Sequence, residues 1–370
     1  MSAEPGSDAV TTSPRPTRWR RQLIAAEAFE AARAIDVDGD GVLDIVSGAF
    51  WYQGPDFRRR HHIADVPRYD EYYDDFSVLP LPSSRPGRPH WVTGGFWGGG
   101  LREVRFDGAS WTVGEIAATG PVETTRMWDV DSDGELEIVP NLPTEGVRVF
   151  KQRPDGGFDE HRIWDGVQGH GLGFGDVSGS GRGDIVLRHG WLEAPERPFE
   201  QEWIYHPDFD LGPAASVPIV VADIDGDGIA ELVVGNGHGY GLDLWRQRTG
   251  ADGVRSWTRH PIDPEGSQFH DLHWADLDGD GVREIVTGKR YRAHPNGIDE
   301  GTYDDLGVYR YRWTGEGFAK QVISHGELGV GVGVGIAFDL ADLRGTGRLD
   351  VIAPGKDGLH VLWNEGPAEA

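Results

Sequence analysis

The stretch IDVDGDGVLDIVSG at 35–48 returns as WDVDSDGELEIVPN at 128–141, ADIDGDGIAELVVG at 222–235 and ADLDGDGVREIVTG at 275–288. Weaker copies, GDVSGSGRGDIVLR and ADLRGTGRLDVIAP, sit at 175–188 and 341–354. LPLPSSRPGRPHWVTGG at 79–95 fits as a seventh copy that has lost its acids and gained about two residues. Self-similarity at a period of mostly 44 to 53 residues constrains the fold more than any other property of the chain. Each unit carries an apolar strand, the acidic loop and a second strand. A third strand follows, such as VRVF at 147–150 or LDLW at 242–245. A fourth reads like FRRRHHI at 57–63, FDEHRI at 158–163 or WTRHPI at 257–262. Four short strands per unit describe a propeller blade, so the expected fold is an all-β, seven-bladed β-propeller.

The last unit ends at LHVLWNE, 359–365, without a fourth strand, whereas WRRQLI at 19–24 matches that pattern. The N-terminal strand is therefore expected to close the last blade, which removes an exposed edge. Residues 1–16 read as a disordered tail, 17–365 as a single propeller and 366–370 as a second tail. The 55 glycines, about twice the average usage, fit a chain of many tight turns.

A net charge of −26 argues against nucleic acid or an anionic membrane surface as partner. Without an 18-residue apolar run, no membrane span is expected. The start has no apolar segment of the signal-peptide kind, so a cytoplasmic location is expected. Zero cysteines exclude disulfides and thiolate metal sites.

Acids at loop positions 1, 3, 5 and 9 with Gly at 6 gather hard oxygens around one cation. Four loops are complete: Asp36, Asp38, Asp40, Asp44; Asp129, Asp131, Asp133, Glu137; Asp223, Asp225, Asp227, Glu231; and Asp276, Asp278, Asp280, Glu284. About four structural Ca2+ are expected there. The loops starting at Asp176 and Asp342 are degenerate.

Six residues before each loop stand Glu30, Asp74, Glu123, His170, Val217, His270 and Ile336. Five of these seven can ligate a metal or move a proton, at the end of the inner strand opposite the loops. Three residues before the loops stand Arg33, Ser77, Arg126, Gly173, Val220, His273 and Asp339, and again the charged residues gather in certain units. Ion pairs of Glu30 with Arg33 and of Glu123 with Arg126 account for those four residues equally well. Segments after the second strands bring Trp51, Trp97, His189, Trp191, His238, Lys289, Arg290, Tyr291, His294 and Lys356 to the same face. Aromatic rings beside charged hydrogen-bonding groups suit a carbohydrate-like small molecule.

The repeat pattern resembles the FG-GAP/VCBS family of integrin-alpha-like propellers over about residues 17 to 365. That resemblance implies a seven-bladed propeller with cations in the loops between first and second strands. HGLGFGDVSGSGRGDIVLRHGWLEAP at 170–195 and HWADLDGDGVREIVTGKRYRAH at 273–294 look like a narrower branch, the propeller domain of aldos-2-ulose dehydratase. The chain has no room for that enzyme's cupin domains. The narrower resemblance implies a metal-dependent lyase that eliminates water or an alcohol from a keto-sugar. In that reading Glu30, Asp74, Glu123, His170 and His270 hold a catalytic Zn2+, Mn2+ or Mg2+. His273 or Tyr291 is base or acid, and Lys289 and Arg290 steady the enolate oxygen. Trp51, Trp97, Arg126, His189, Trp191, His238, His294 and Lys356 contact substrate. The alternative is a non-enzymatic propeller module that binds carbohydrate or protein.

Overall fold

The structure, a computed structural model, describes residues 16–82, 87–251 and 253–368. Among them there is no α-helix, only one 3-10 turn at Pro295–Gly297, and no helix is long and apolar enough to cross a membrane. The strands form five four-stranded antiparallel sheets, one eight-stranded sheet and a small hairpin. The arrangement is β-propeller-like.

The first sheet holds Arg33–Ile35, Asp44–Ser47, Phe50–Gln53 and Arg59–His62. The second begins at Leu79–Pro80 and ends at Trp111–Ala117; the third runs from Thr124–Trp128 to Phe158–Trp164. The eight-stranded sheet consists of two four-strand meanders. They are joined where Leu172–Gly175 pairs in parallel with Ile219–Ala222. Another sheet runs from Phe269–Ala275 to Phe318–Gly326. In the last, Asp339–Ala341, Asp350–Ala353 and Leu359–Pro367 are completed by Thr17–Ala25.

That final pairing is the one expected from WRRQLI: Trp19 stands opposite Asn364 and Gln22 opposite Val361. The Gln22 side-chain oxygen accepts a bond from Trp363 Nε1 at 3.0 Å. The last strand reaches Pro367, so residues 366 and 367 belong to the sheet and not to the expected C-terminal tail. The expected N-terminal tail, up to residue 15, lies outside the described residues.

The apolar side chains cluster between neighbouring sheets. Val139, Val149 and Ile163 of the third sheet meet Leu172, Ile185 and Leu192 of the next. Ile45 and Tyr52 of the first sheet meet Ile352, Val361 and Trp363 of the last, which joins the two ends of the ring. Alternation along each strand explains this, since one residue set faces each neighbour.

One element falls outside the repeat. The hairpin Arg68–Tyr69 and Tyr72–Tyr73 is inserted between the first two sheets. Its Tyr72 hydroxyl donates to the Ala293 carbonyl and its Glu71 pairs with Arg292 at 3.2 Å. Lys356 Nζ lies over the Tyr72 ring, 3.8 Å from its centre, and bonds the Arg292 and Ala293 carbonyls at 2.8 and 3.1 Å. The hairpin is thereby tied to the segment after Glu284–Lys289, several sheets away in the chain.

Candidate metal centre

The inner strands start at one face, and three of the six-before-the-loop residues converge there. Glu123 precedes Thr124–Trp128, His170 precedes Leu172–Gly175, and His270 lies in Phe269–Ala275. His238 joins them from the turn between Glu231–Gly235 and Tyr240–Thr249. One donor atom from each of Glu123, His170, His238 and His270 lies within 4.8 Å of the others. Glu123 Oε1 is 3.4 Å from His170 Nε2 and 3.2 Å from His270 Nε2. Ligands about 2.1 Å from a tetrahedral metal stand about 3.4 Å apart, so these separations fit a shared ion.

The protonation pattern supports the same fit. The Ala215 carbonyl accepts from His170 Nδ1 at 2.7 Å, so that nitrogen carries a hydrogen. The Nε2 of His170 faces the Glu123 carboxylate without a hydrogen-bond partner, an arrangement that suits a cation between them. His270 is fully buried, and its Nδ1 has no hydrogen-bond partner, nor has Nδ1 of His238. Burial pushes His270 down to about 4 and His238 down to about 2, so both are neutral, the state a metal ligand needs. Burial raises Glu123, but His170 and His270 outweigh it and hold the carboxyl well below the usual range. Glycine at 237 lets the turn lie over the imidazoles: a Cβ there would sit 3.1 Å from His270 Cδ2.

His294 stacks on His238 with ring centres 4.5 Å apart. Its Nδ1 donates to both Asp299 oxygens at 3.0 Å, and Asp299 also lies 3.5 Å from His238 Nδ1. One carboxylate thus stands behind two imidazoles. Its chemical signal in the sequence was weak, since Asp299 follows an irregular segment that no repeat position marks. His238 was expected on this face but not as a ligand, because a count along the inner strands cannot reach a turn.

Glu30 and Asp74 do not join the cluster, which corrects the expected ligand set. Glu30 Oε1 is bonded by Arg290 Nη2 at 3.0 Å, and its other oxygen lies 3.7 Å from Lys356. Asp74 accepts the backbone N–H groups of Trp97 and Gly98 at 3.1 and 2.7 Å. Arg126 pairs with Asp271 at 2.7 Å and Arg33 with Asp339 at 3.1 Å, so neither binds the acid three residues before it. His273 donates through Nε2 to the Phe338 carbonyl at 3.2 Å, away from the other imidazoles. Tyr291 is half-buried with the Arg292 guanidinium 5.0 Å over its ring.

Lys289 is buried against Gln268 Oε1 and the Arg290 carbonyl, and burial pushes its ammonium down to about 8. Trp51 and Trp191 are core residues rather than channel walls: Trp51 stacks on His61, and Trp191 stacks on His206 and donates to Asp208 at 3.0 Å. Both ring nitrogens of His189 are engaged, by Tyr205 and the Val167 carbonyl. Trp97 keeps 42% of its surface exposed and lies 5.0 Å from Tyr72, centre to centre.

The acidic loops lie at the other ends of the inner strands. Carboxylates come together there as Asp36, Asp38, Asp40; as Asp129, Asp131, Glu137; and as Asp223, Asp225, Glu231, among others. The donor types suit a hard cation. Basic side chains enter three of the four complete loops, and the Asp36 loop alone has an uncharged donor, Gln53 Nε2, on Asp38 at 2.9 Å.

No curated protein matches the chain. Solved structures do. BBS1N, crystallised in complex with ARL6DN and soaked with lead, aligns at a TM-score of 0.57 and 13% identity, covering 96% of this chain and 98% of that one. The exotype rhamnogalacturonan lyase YesX aligns at a TM-score of 0.52 and 14% identity, covering 94% and 73%. At such identities the likeness is one of fold. Residues 223–287, which span the third complete acidic loop and the inner strand and loop of the fourth, match the FG-GAP-like repeat. The chain therefore carries an FG-GAP-like repeat within a β-propeller-like arrangement of sheets.

Proposed function

We propose that Glu123, His170, His238 and His270 hold one divalent transition metal, and that the chain is a carbon–oxygen lyase acting on a keto-sugar or keto-glycoside. The observation that carries this reading is the Glu123 oxygen set between two imidazole Nε2 atoms at 3.2 and 3.4 Å. Three imidazoles and a carboxylate favour Zn2+ or Mn2+ over Mg2+. A metal bound there supplies a Lewis acid that polarises a ketone oxygen and so acidifies the neighbouring C–H.

The chain's own residues supply the rest. His294, its Nδ1–H held by Asp299, presents Nε2 as general base. It takes the proton next to the ketone, the C–H electrons form the C=C bond, and the β C–O bond breaks. The imidazolium hands its proton to the departing oxygen, which leaves as water or alcohol. Asp299 keeps His294 in the reactive tautomer and stabilises the imidazolium. Trp97, 42% exposed, offers an aromatic ring to a sugar's C–H surface. The base role thus moves from His273 and Tyr291 to His294. A polysaccharide lyase is among the proteins of similar fold, which supports a carbohydrate lyase on this scaffold. Counting the eight-stranded sheet as two blades, we take the propeller to have seven.

The test is metal analysis together with turnover of keto-glycosides, followed by enone absorbance. The expected result is about one transition metal per chain, lost in His170→Ala and His270→Ala. His294→Gln should retain the metal while kcat falls by about 10^2 to 10^4. Full metal content and turnover in His170→Ala and His270→Ala would sink the assignment.

A further inference from the structure

The first aspartate of each complete loop is spent on the loop itself. Asp36 accepts the N–H groups of Gly39, Asp40 and Gly41, and Asp276 those of Gly279, Asp280 and Gly281. In the loops whose ninth acid is glutamate, that acid and the aspartate at position 3 keep oxygens that face a common centre. In the loop that starts at Asp129 that centre holds an ammonium. Lys151 Nζ is 2.6 Å from Asp131, 2.6 Å from Asp133 and 3.1 Å from Glu137. In the Asp276 loop Arg312 reaches Asp280 at 2.6 Å and bonds Glu284, while Arg310 reaches Asp278 at 2.9 Å and Glu284 at 3.3 Å. In the Asp223 loop Arg246 reaches Asp225 at 2.8 Å.

These bases follow a register rule. Phe150, Trp245 and Tyr311 each pair with the residue just after the loop's ninth-position acid, and the next residue is Lys151, Arg246 or Arg312. All three of those acids are glutamates. Where the ninth position is Asp44, Asp184 or Asp350, the equivalent residue is Gln53, Glu193 or Trp363.

The length of the acid explains the split. Asp44 spends one oxygen on Val37 N–H at 2.9 Å and the other on Gly54 N–H at 2.8 Å. Glu137 spends only Oε2, on Val130 N–H at 2.8 Å, and its extra methylene leaves Oε1 to reach the base.

We propose that Lys151, and Arg312 with Arg310, are the resident cations of the glutamate-ended loops that start at Asp129 and Asp276, while in the third Arg246 pairs with Asp225. These loops then keep their shape without calcium, so the residues there do not fit a resident Ca2+. A calcium ion wants six to eight oxygens at about 2.3–2.6 Å, and an ammonium or guanidinium already occupies the space they surround. The repeat keeps the acidic loop but exchanges a metal for a covalently attached charge.

The experiment is calcium titration of the full chain after chelation, read by melting temperature and by calcium bound per chain. Lys151→Met should melt lower without calcium and gain roughly 5 °C with saturating calcium, beyond any gain of the wild type. Calcium bound per chain should be the same in the wild type and in Asp131→Asn. If Lys151→Met does not fold, the comparison with Asp131→Asn still decides. Loss of one calcium per chain in Asp131→Asn, or equal calcium response of Lys151→Met and wild type, overturns the proposal.

Discussion

Individual side chains here are set by what faces them rather than by where they fall in the repeat. Glu30, Asp74, Glu123, His170 and His270 occupy one register position, and counting from the loops found it. The count could not tell which of the five converge, because convergence depends on cross-channel partners. Arg290 claims Glu30, the amides of Trp97 and Gly98 claim Asp74, and only the other three are left for one another. Asp75, next to Asp74, gives a prediction free of any metal. It is buried, it accepts a side-chain hydrogen bond from the Thr93 hydroxyl, and burial pushes its carboxyl up to about 6. A raised acid favours the folded state at low pH: its contribution is complete below about 3.8 and is lost as pH rises to about 6. Asp75→Asn should therefore stabilise the protein at pH 8, by up to about 3 kcal/mol, and leave it unchanged near pH 3.5. Denaturant melts at the two pH values check this, and an equal effect at both would contradict it.

Among elements, the strands were the most legible. The short apolar runs after each acidic loop, the LDLW-like third strands and the outer-strand pattern all appear where the sequence put them, since alternation and glycine-rich turns are local signals. The hairpin at Arg68–Tyr73 was not foreseen as an element. Two-residue strands carry too little pattern, and its anchors lie more than two hundred residues away, at Arg292 and Ala293. The His238 turn escaped for the same reason. The hairpin leads to the fourth prediction. The double variant Glu71→Gln, Tyr72→Phe should free it from Arg292 and Ala293, so limited proteolysis should cut between residues 66 and 73 at least about fivefold faster. Its melting temperature should shift by no more than about 3 °C, because each lost bond contributes only about 1 kcal/mol. An unchanged cleavage rate would mean that these contacts do not hold the element down.

At the scale of the whole molecule, the repeat period declared a ring of small sheets, and the unmatched outer strand at the start declared how it ends. Both are properties of order along the chain, which is why they could be read before any contact was known. The centre of the ring was less legible because it is made by residues from all around it. Removing residues 17–25 should strip the outer edge from the last sheet and the packing of Trp19 and Ile24 from the flanking cores. Those two side chains alone account for about 4 kcal/mol, so the melting temperature should fall by roughly 5 °C or more. A fall of under about 2 °C would show that the strand is dispensable.

The same pairing has a consequence for how the protein is made. Thr17 stands opposite Pro367, so this strand is synthesised about 350 residues before its partner. Until Leu359–Pro367 has been made, Thr17–Ala25 has nowhere to dock, and its apolar residues stay uncovered while sheet after sheet assembles behind it. The arginines at 18, 20 and 21 between those residues keep the waiting segment charged, a guard against premature pairing with a neighbouring chain.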